Sequence, residues 1–246
     1  MTSTGRDEKK GKTIKEFVVM MKDLYGEGLV ALYLFGEEAV EPVSAGDRPP
    51  KMLAIMMDTG AGQLKKYASV HAKWSGRGIA APLMMTEGML KSSTDVFPIE
   101  FLEMKESNAL LHGDDVLARL VIGTENLRRQ CEEQVKGKLI HLQQGYMEAG
   151  GDRKALTQLI ASSIEPFTEV MRNVVRLLGK DVPVKKEIAV GAFCLETGLD
   201  CTPFIEALKI RREGLKPSEG ELELLFARYL DEVRRLAERV DKMQGA

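Results

Sequence analysis

The chain has little histidine and little cysteine, with three of each among its 246 residues. The histidines are far apart in the sequence, which leaves little material for a zinc site built on histidine. The cysteines have neither metal-ligand spacing nor the even number of a disulfide framework. We therefore expect Cys131, Cys194 and Cys201 to be reduced thiols in a cytoplasmic protein.

Long apolar runs and an excess of one charge are also absent from the sequence. No run approaches the roughly 18 apolar residues of a membrane-spanning helix, and residues 1–12 lack the apolar core of a secretory signal. The 35 basic side chains nearly balance the 37 acidic ones. We therefore expect neither a membrane nor a nucleic acid as partner, and we expect residues 1–12 to form a disordered lead.

What the chain does contain is a pair of short apolar segments set between two helical patterns. Residues 29–35 and 52–57 are rich in aliphatic side chains and are bounded by glycine or proline. Such segments are too short for confident helices and predict buried strands. Apolar residues at helical spacing predict a helix at 13–25 and another at 61–75.

Three later segments of the first half also have strand character. Residues 81–85 and 110–113 are short extended pieces in this interpretation. Residues 95–105 alternate apolar and polar side chains, which is typical of a half-buried strand. In that strand Glu100 would face away from the apolar side chains.

From residue 114 onward the strand pattern disappears and apolar residues recur at helical spacing. Glycines end successive helices, and Ser218 with Glu221 has the spacing of a capping box at the start of the last helix. The second half is therefore predicted to be an antiparallel helical bundle with short connections.

The run 28–36, which ends at Gly36, and the second run 51–58 resemble the opening of the nucleotidyltransferase superfamily of aminoglycoside and DNA-polymerase-beta type. Residues 98–102 together with 110–113 resemble the stretch after the family's third strand, and the stretch from Gly198 to Arg212 resembles segments of the helical bundles of such proteins. The whole arrangement resembles kanamycin nucleotidyltransferases and the paired nucleotidyltransferase and HEPN proteins of prokaryotes.

The resemblance implies an α+β fold in two parts. The first, at 13–113, would be a nucleotidyltransferase-like mixed sheet with flanking helices. The second, at 114–246, would be the helical bundle. A resemblance of this kind predicts the fold better than the activity.

The motif that performs the family's chemistry is altered in this chain. The family follows its glycine with serine and opens its second strand with Asp-x-Asp; here Glu37 follows the glycine, and Pro50 and Met52 occupy the aspartate positions. Two Mg²⁺ ions need carboxylate ligands. Glu100 is the best match to the family's third carboxylate, and one carboxylate does not hold two cations.

We therefore predict a catalytically degenerate protein that acts as a ligand-binding or regulatory module without a cofactor. A small molecule or a protein partner is expected in a cleft between the two halves. The residues predicted to bind it are Gly36, Glu37, Glu38, Met52 and Glu100.

Two alternatives remain open. The first is an active, Mg²⁺-dependent nucleotidyltransferase with a relocated carboxylate site, drawn from Glu37, Glu38, Glu41, Asp47, Asp58 and Glu100. The second is a structural protein that forms a homodimer through the amphipathic helix at 218–243.

Two weaker patterns each have a functional and a simpler structural interpretation. The turn at 58–62, before a helix with lysines, could hold an anion or could be a tight strand-to-helix turn. Basic residues around Trp74 could bind a nucleic-acid backbone beside a stacking ring, or they could form a solvated face over a buried tryptophan.

Overall fold

The computed structural model describes residues 3–36, 39, 49–183, 186–215 and 217–243. The chain divides into two compact units, Met1–Ile122 and Gly123–Ala246. The first combines a mixed sheet with helices and the second is helical, which confirms the predicted α+β class. No helix in the described part of the chain is both long and apolar enough to cross a membrane.

The first unit is built on a four-stranded sheet. Its elements in chain order are α1 (Ser3–Tyr25), β1 (Leu29–Phe35), β2 (Lys51–Met56), α2 (Ala61–Ser75), β3 (Leu83–Thr86), α3 (Glu87–Ser92), α4 (Pro98–Glu106) and β4 (Asn108–Gly113). The strand order is β3-β2-β1-β4, with β2 and β3 parallel and β1 antiparallel to both of its neighbours. The strands predicted at 29–35, 52–57, 81–85 and 110–113 are confirmed.

Two apolar cores lie on opposite faces of the sheet. On one face, Leu34 and Met52 belong to a cluster with Phe17 of α1 and Trp74 of α2. We call this the α1–α2 core. On the other face, Tyr33 and other strand residues pack with Leu90, Phe101, Met104 and Leu117. Burial on both faces explains why β1 and β2 are continuous apolar runs rather than alternating ones.

The prediction of a strand at 95–105 is wrong, because this segment contains α4. Pro98 occupies the first turn of the helix, where its missing N–H has no cost. Phe97 and Phe101 are one helical turn apart, and their rings meet edge to face with centroids 6.4 Å apart. The apolar residues therefore fit a helical repeat as well as the alternation of a strand.

The prediction of a disordered lead at 1–12 is wrong for the described residues, because α1 begins at Ser3. Lysine and glutamate are good helix formers, so a charged segment can extend an amphipathic helix into solvent. The first unit also runs beyond the predicted boundary at residue 113. Val116, Leu117 and Leu120 are buried in its second core, which keeps residues 114–122 with the sheet.

The second unit contains five helices among its described residues: α5 (Thr124–Ala149), α6 (Arg153–Leu177), α7 (Lys186–Thr197), α8 (Thr202–Glu213) and α9 (Glu219–Asp241). Its centre is Tyr229 of α9, which is fully buried and meets the rings of Phe167 and Phe204 edge to face. The predicted capping box of Ser218 and Glu221 is present at the start of α9.

The cysteines differ from the expectation of three reduced thiols. A disulfide joins Cys194, near the end of α7, to Cys201, which precedes α8. The two residues are seven positions apart in the sequence, but the turn between the helices brings their Cα atoms to 5.8 Å. Cys131 is free and buried, and burial raises the pKa of its thiol to about 12.

Gly113 at the end of β4 is expected to tolerate no side chain. Its φ is +83°, and a Cβ would lie 1.9 Å from the carbonyl oxygen of Val30. We expect Gly113→Ala to lower the free energy of unfolding by about 3 kcal/mol or more. Gly78→Ala is the matched control, because Gly78 has φ +79° but open space around it. That change should cost only about 1 kcal/mol in urea unfolding, and equal losses would contradict the backbone clash.

Candidate functional site

The glycine turn after β1 and the start of β2 lie side by side in the sheet. Phe35 pairs with Lys51, and Leu34 pairs with Met52. Gly36 has φ +88° and donates its N–H to the carbonyl oxygen of Ser107 at 2.8 Å, which brings the start of β4 to the same place. We call this region the β1–β2 end.

Three apolar side chains form a row across the sheet at the β1–β2 end. Leu34 is paired with Met52 on one side and with Ala109 on the other, and all three contact the α1–α2 core. Met52 is 2% exposed, and Pro50 is buried as well. A carboxylate in this row would lose its hydration without a partner, which costs several kcal/mol.

Glu100, the predicted third carboxylate, does not lie on a strand next to β2. It is an exposed residue in the first turn of α4. Phe101 and Met104 of the same helix pack on the face of the sheet opposite to Met52. The predicted placement of Glu100 on a strand is therefore corrected, and the structure does not bring Glu100 into the row; its part in ligand binding stays a prediction.

Two other predicted site residues, Glu37 and Glu38, lie outside the described residues. Glu41 and Asp47 of the alternative relocated site also lie outside them. Within the described ranges, no group of three or more histidine, cysteine, aspartate or glutamate side chains is arranged to hold a metal ion. The parts played by these four acidic residues stay predictions.

The turn at 58–62 is closed by a hydrogen bond to the side chain of one of its own residues. An oxygen of the Asp58 carboxylate accepts the N–H of Gly60, the N-cap residue of α2, at 3.0 Å. A negative charge therefore already lies where an anion would approach the helix N-terminus. This geometry favours the tight strand-to-helix turn over an anion site.

Trp74 is placed for packing rather than for stacking on a base. It is 2% exposed and meets Phe17 edge to face, with ring centroids 5.1 Å apart. The Arg77 guanidinium lies 4.5 Å from the indole centroid and forms an ion pair with Glu16. The hydrogen bond from Arg77 lowers the pKa of the Glu16 carboxyl. The solvated basic face over a buried tryptophan is therefore the better interpretation.

Comparison with known proteins gives a structural likeness without a sequence match. No protein-family model matches the chain, and no curated protein matches its sequence. A solved structure of spectinomycin adenyltransferase AAD(9) from Enterococcus faecialis, with ATP and spectinomycin, is similar with a TM-score of 0.51 and 13% identity. The match covers 94% of this chain and 99% of that chain.

The fold is nucleotidyltransferase-like. At 13% identity the likeness extends to the fold alone. The resemblance in sequence puts the family's catalytic aspartates at the β1–β2 end, and this placement stays a prediction. The side chains found there in this chain are those of Pro50 and Met52.

A buried charge at Met52 is expected to damage the fold rather than to create a metal site. We expect Met52→Asp to lower the free energy of unfolding by about 3 kcal/mol or more, because the carboxylate would be desolvated within the α1–α2 core. Met57→Asp is the matched control, since Met57 lies just beyond β2 and is 70% exposed. Urea denaturation with and without millimolar MgCl₂ measures both effects. Equal stability of the two variants, or recovery of Met52→Asp by Mg²⁺, would contradict the packing argument.

Proposed function

We propose that this chain is a catalytically degenerate nucleotidyltransferase-like protein that acts as a ligand-binding or interaction module. The observation that supports this most directly is the apolar row of Leu34, Met52 and Ala109 at the β1–β2 end. Nucleotidyl transfer by two metal ions requires carboxylates at such a place, because the ions must clamp both the attacking and the leaving oxygen.

The chemistry of the metal makes the apolar row decisive for this proposal. Mg²⁺ demands near-octahedral oxygen coordination and gives up its water reluctantly. The side chains of Pro50 and Met52 offer no oxygen, and both residues are buried. Phosphoryl-type transfer relies almost entirely on positioning and on charge stabilisation by such ions, so a chain without them is expected to lack the transferase activity.

The alternative of an active enzyme with a relocated site receives no support from the two of its six residues that the structure describes. Asp58 follows the end of β2 that is distant from Met52, and its carboxylate closes the turn to α2. Glu100 lies on α4, and this helix packs against the face of the sheet opposite to Met52. The relocated-site alternative is therefore kept only as the hypothesis that the next experiment tests against the proposal.

A thermal-shift titration with ATP and MgCl₂ tests the proposal. A metal-dependent nucleotide site at a hundred times its Kd would stabilise the fold by about 2.7 kcal/mol, which corresponds to several degrees in Tm. We expect that ATP and MgCl₂ together give no EDTA-sensitive rise in Tm. We also expect no transfer of AMP from ATP to spectinomycin in a radiolabel assay.

Spectinomycin adenyltransferase AAD(9) is the positive control for both measurements, since its structure contains ATP and spectinomycin. A chelator-sensitive rise of several degrees in the present protein, or transfer of AMP above background, would overturn the degenerate assignment. A rise with ATP that persists in EDTA would instead identify metal-independent nucleotide binding, which is consistent with a ligand-binding module.

A further inference from the structure

Cys194 and Cys201 lie at the two ends of the turn that joins α7 to α8. Cys194 belongs to the last turn of α7, and Cys201 is the N-cap residue of α8. Their sulfur atoms are bonded, and their Cα atoms lie 5.8 Å apart. The pair belongs to the second unit, so an inference about it does not rest on the function proposed above.

Hydrogen bonds hold this turn in place in addition to the disulfide. The N–H of Gly198 donates to the carbonyl oxygen of Cys194 at 2.8 Å. The N–H of Thr202 donates to the carboxylate of Asp200 at 2.9 Å. The backbone on both sides of the turn is therefore fixed without the S–S bond, and we expect the turn to keep its shape when that bond is broken.

A buried carboxylate of α9 anchors the same turn to the bundle. Glu232 is 5% exposed, and its Oε2 accepts the backbone N–H of Asp200 at 3.2 Å. Its other oxygen, Oε1, accepts from the guanidinium of Arg235 at 2.8 Å. Hydrogen bonds to an ionised group are among the stronger ones in proteins, and Asp200 immediately precedes Cys201. α9 therefore positions Cys201 independently of the disulfide.

The reduced form of Cys201 has a hydrogen-bond acceptor at the same place. Its Sγ lies 3.4 Å from the carbonyl oxygen of Val190 in α7. A sulfur in a disulfide has no proton to donate, whereas a thiol is a weak donor. Reduction therefore converts this contact into a hydrogen bond without a movement of the backbone. Both oxidation states fit the same geometry.

The two sulfur atoms differ in their accessibility to a reagent. Cys194 is 7% exposed and lies on the buried face of α7 with Val190 and Phe193. Cys201 lies in the turn and is more exposed than Cys194. Exchange begins when a thiolate attacks one sulfur of a disulfide, and its rate depends on access to that sulfur. An external thiol therefore reacts first at Cys201.

We propose that Cys194 and Cys201 are a reversible dithiol–disulfide pair, in which Cys201 exchanges with external thiols and disulfides. A thiolate of a small dithiol attacks Sγ of Cys201, the S–S bond breaks, and the sulfur of Cys194 leaves as a thiolate. The second thiolate of the reductant attacks the mixed disulfide, releases Cys201 and closes the reductant's own disulfide. Two electrons pass to the protein, and the two protons of the dithiol reach the cysteine sulfurs through water. Oxidised glutathione reverses the exchange and yields two molecules of glutathione.

The fixed spacing of the two sulfurs determines which reductant is effective. Two thiols that a rigid turn holds within bonding distance have a high effective concentration, so re-formation of the S–S bond competes strongly with a monothiol. A dithiol overcomes this competition because its own ring closure is also intramolecular. We expect dithiothreitol to reduce the pair, and glutathione at the same thiol concentration to leave most of it oxidised. Complete reduction by both reagents would contradict the fixed spacing.

A count of thiols in the whole chain tests the reversibility. After incubation with oxidised glutathione, maleimide labelling in denaturant should give one label per chain by intact mass, on the buried Cys131. Dithiothreitol should raise the count to all three cysteines, and a return to oxidised glutathione should restore one. Reduction should lower the Tm by several degrees, because the cross-link no longer restricts the unfolded chain. The far-UV circular dichroism should stay unchanged.

A matched pair of variants tests the part played by Cys201. Cys194→Ser leaves the sulfur of the turn, and Cys201→Ser leaves the buried sulfur of α7. In the native state, oxidised glutathione should form a mixed disulfide with Cys194→Ser about ten times faster than with Cys201→Ser, because reactivity follows exposure. The reduced wild type gives the same comparison without a substitution. Iodoacetamide should alkylate its Cys201 before Cys194, as peptide mapping measures.

Three results would overturn the proposal. The first is a count of three thiols after oxidised glutathione, because no bond then forms between the pair. The second is a loss of helical circular dichroism on reduction, which would identify a fixed structural cross-link instead of a reversible pair. The third is equal reaction at Cys194 and Cys201 in the reduced wild type, which would contradict the assignment of Cys201 as the exchanging sulfur.

Discussion

The structure of the first unit depends on the burial of both faces of the β1–β2 pair. Leu53 and Ile55 are fully buried on one face, and Met52, Ala54 and Met56 are buried on the other. Side chains at residues 52–56 must therefore be apolar or fully paired, because an unpaired polar group there would cost several kcal/mol. This single constraint disfavours an unpaired carboxylate at residues 52–56 and accounts for the continuous apolar runs in the sequence.

The same constraint explains how the chain after the sheet is held. The hydroxyl of Tyr33, whose side chain is buried, donates to the carbonyl oxygen of Asp114 at 3.0 Å and accepts the N–H of Leu117 at 3.2 Å. Desolvation of this phenol raises its pKa, so it stays neutral and able to donate at physiological pH. The segment that follows β4 is thereby fixed to the centre of the sheet, while β4 itself remains unburied at the edge.

The sequence predicted the fold correctly where a pattern of side chains fitted only one kind of secondary structure. The runs at 29–35 and 52–57 were predicted to be strands because each is short and is bounded by glycine or proline. Both are strands in the structure. The segment at 95–105 was misleading, since Phe97 and Phe101 fit both the strand and the helix repeat and Pro98 is favourable at a helix start. The link between Cys194 and Cys201 was hidden, because the helix-to-helix turn that brings them together is a tertiary feature. The absence of Asp-x-Asp at residues 50–52 was visible in the sequence, but the row of Leu34, Met52 and Ala109 could be recognised only from the strand register.

In the proposed interpretation, the absence of carboxylates at residues 50 and 52 and the burial of both positions belong together. Residues 50 and 52 are two apart in an extended segment, so their side chains are expected to share a face; Met52 packs in the α1–α2 core, and Pro50 is buried as well. Pro50 also fixes its own φ and removes a backbone donor. A single aspartate would therefore enter an apolar core without a second ligand, a metal or water. Under the proposed interpretation, a metal site here would require two carboxylates at positions that are buried in this chain, so packing as well as the absence of ligands would oppose metal-dependent catalysis.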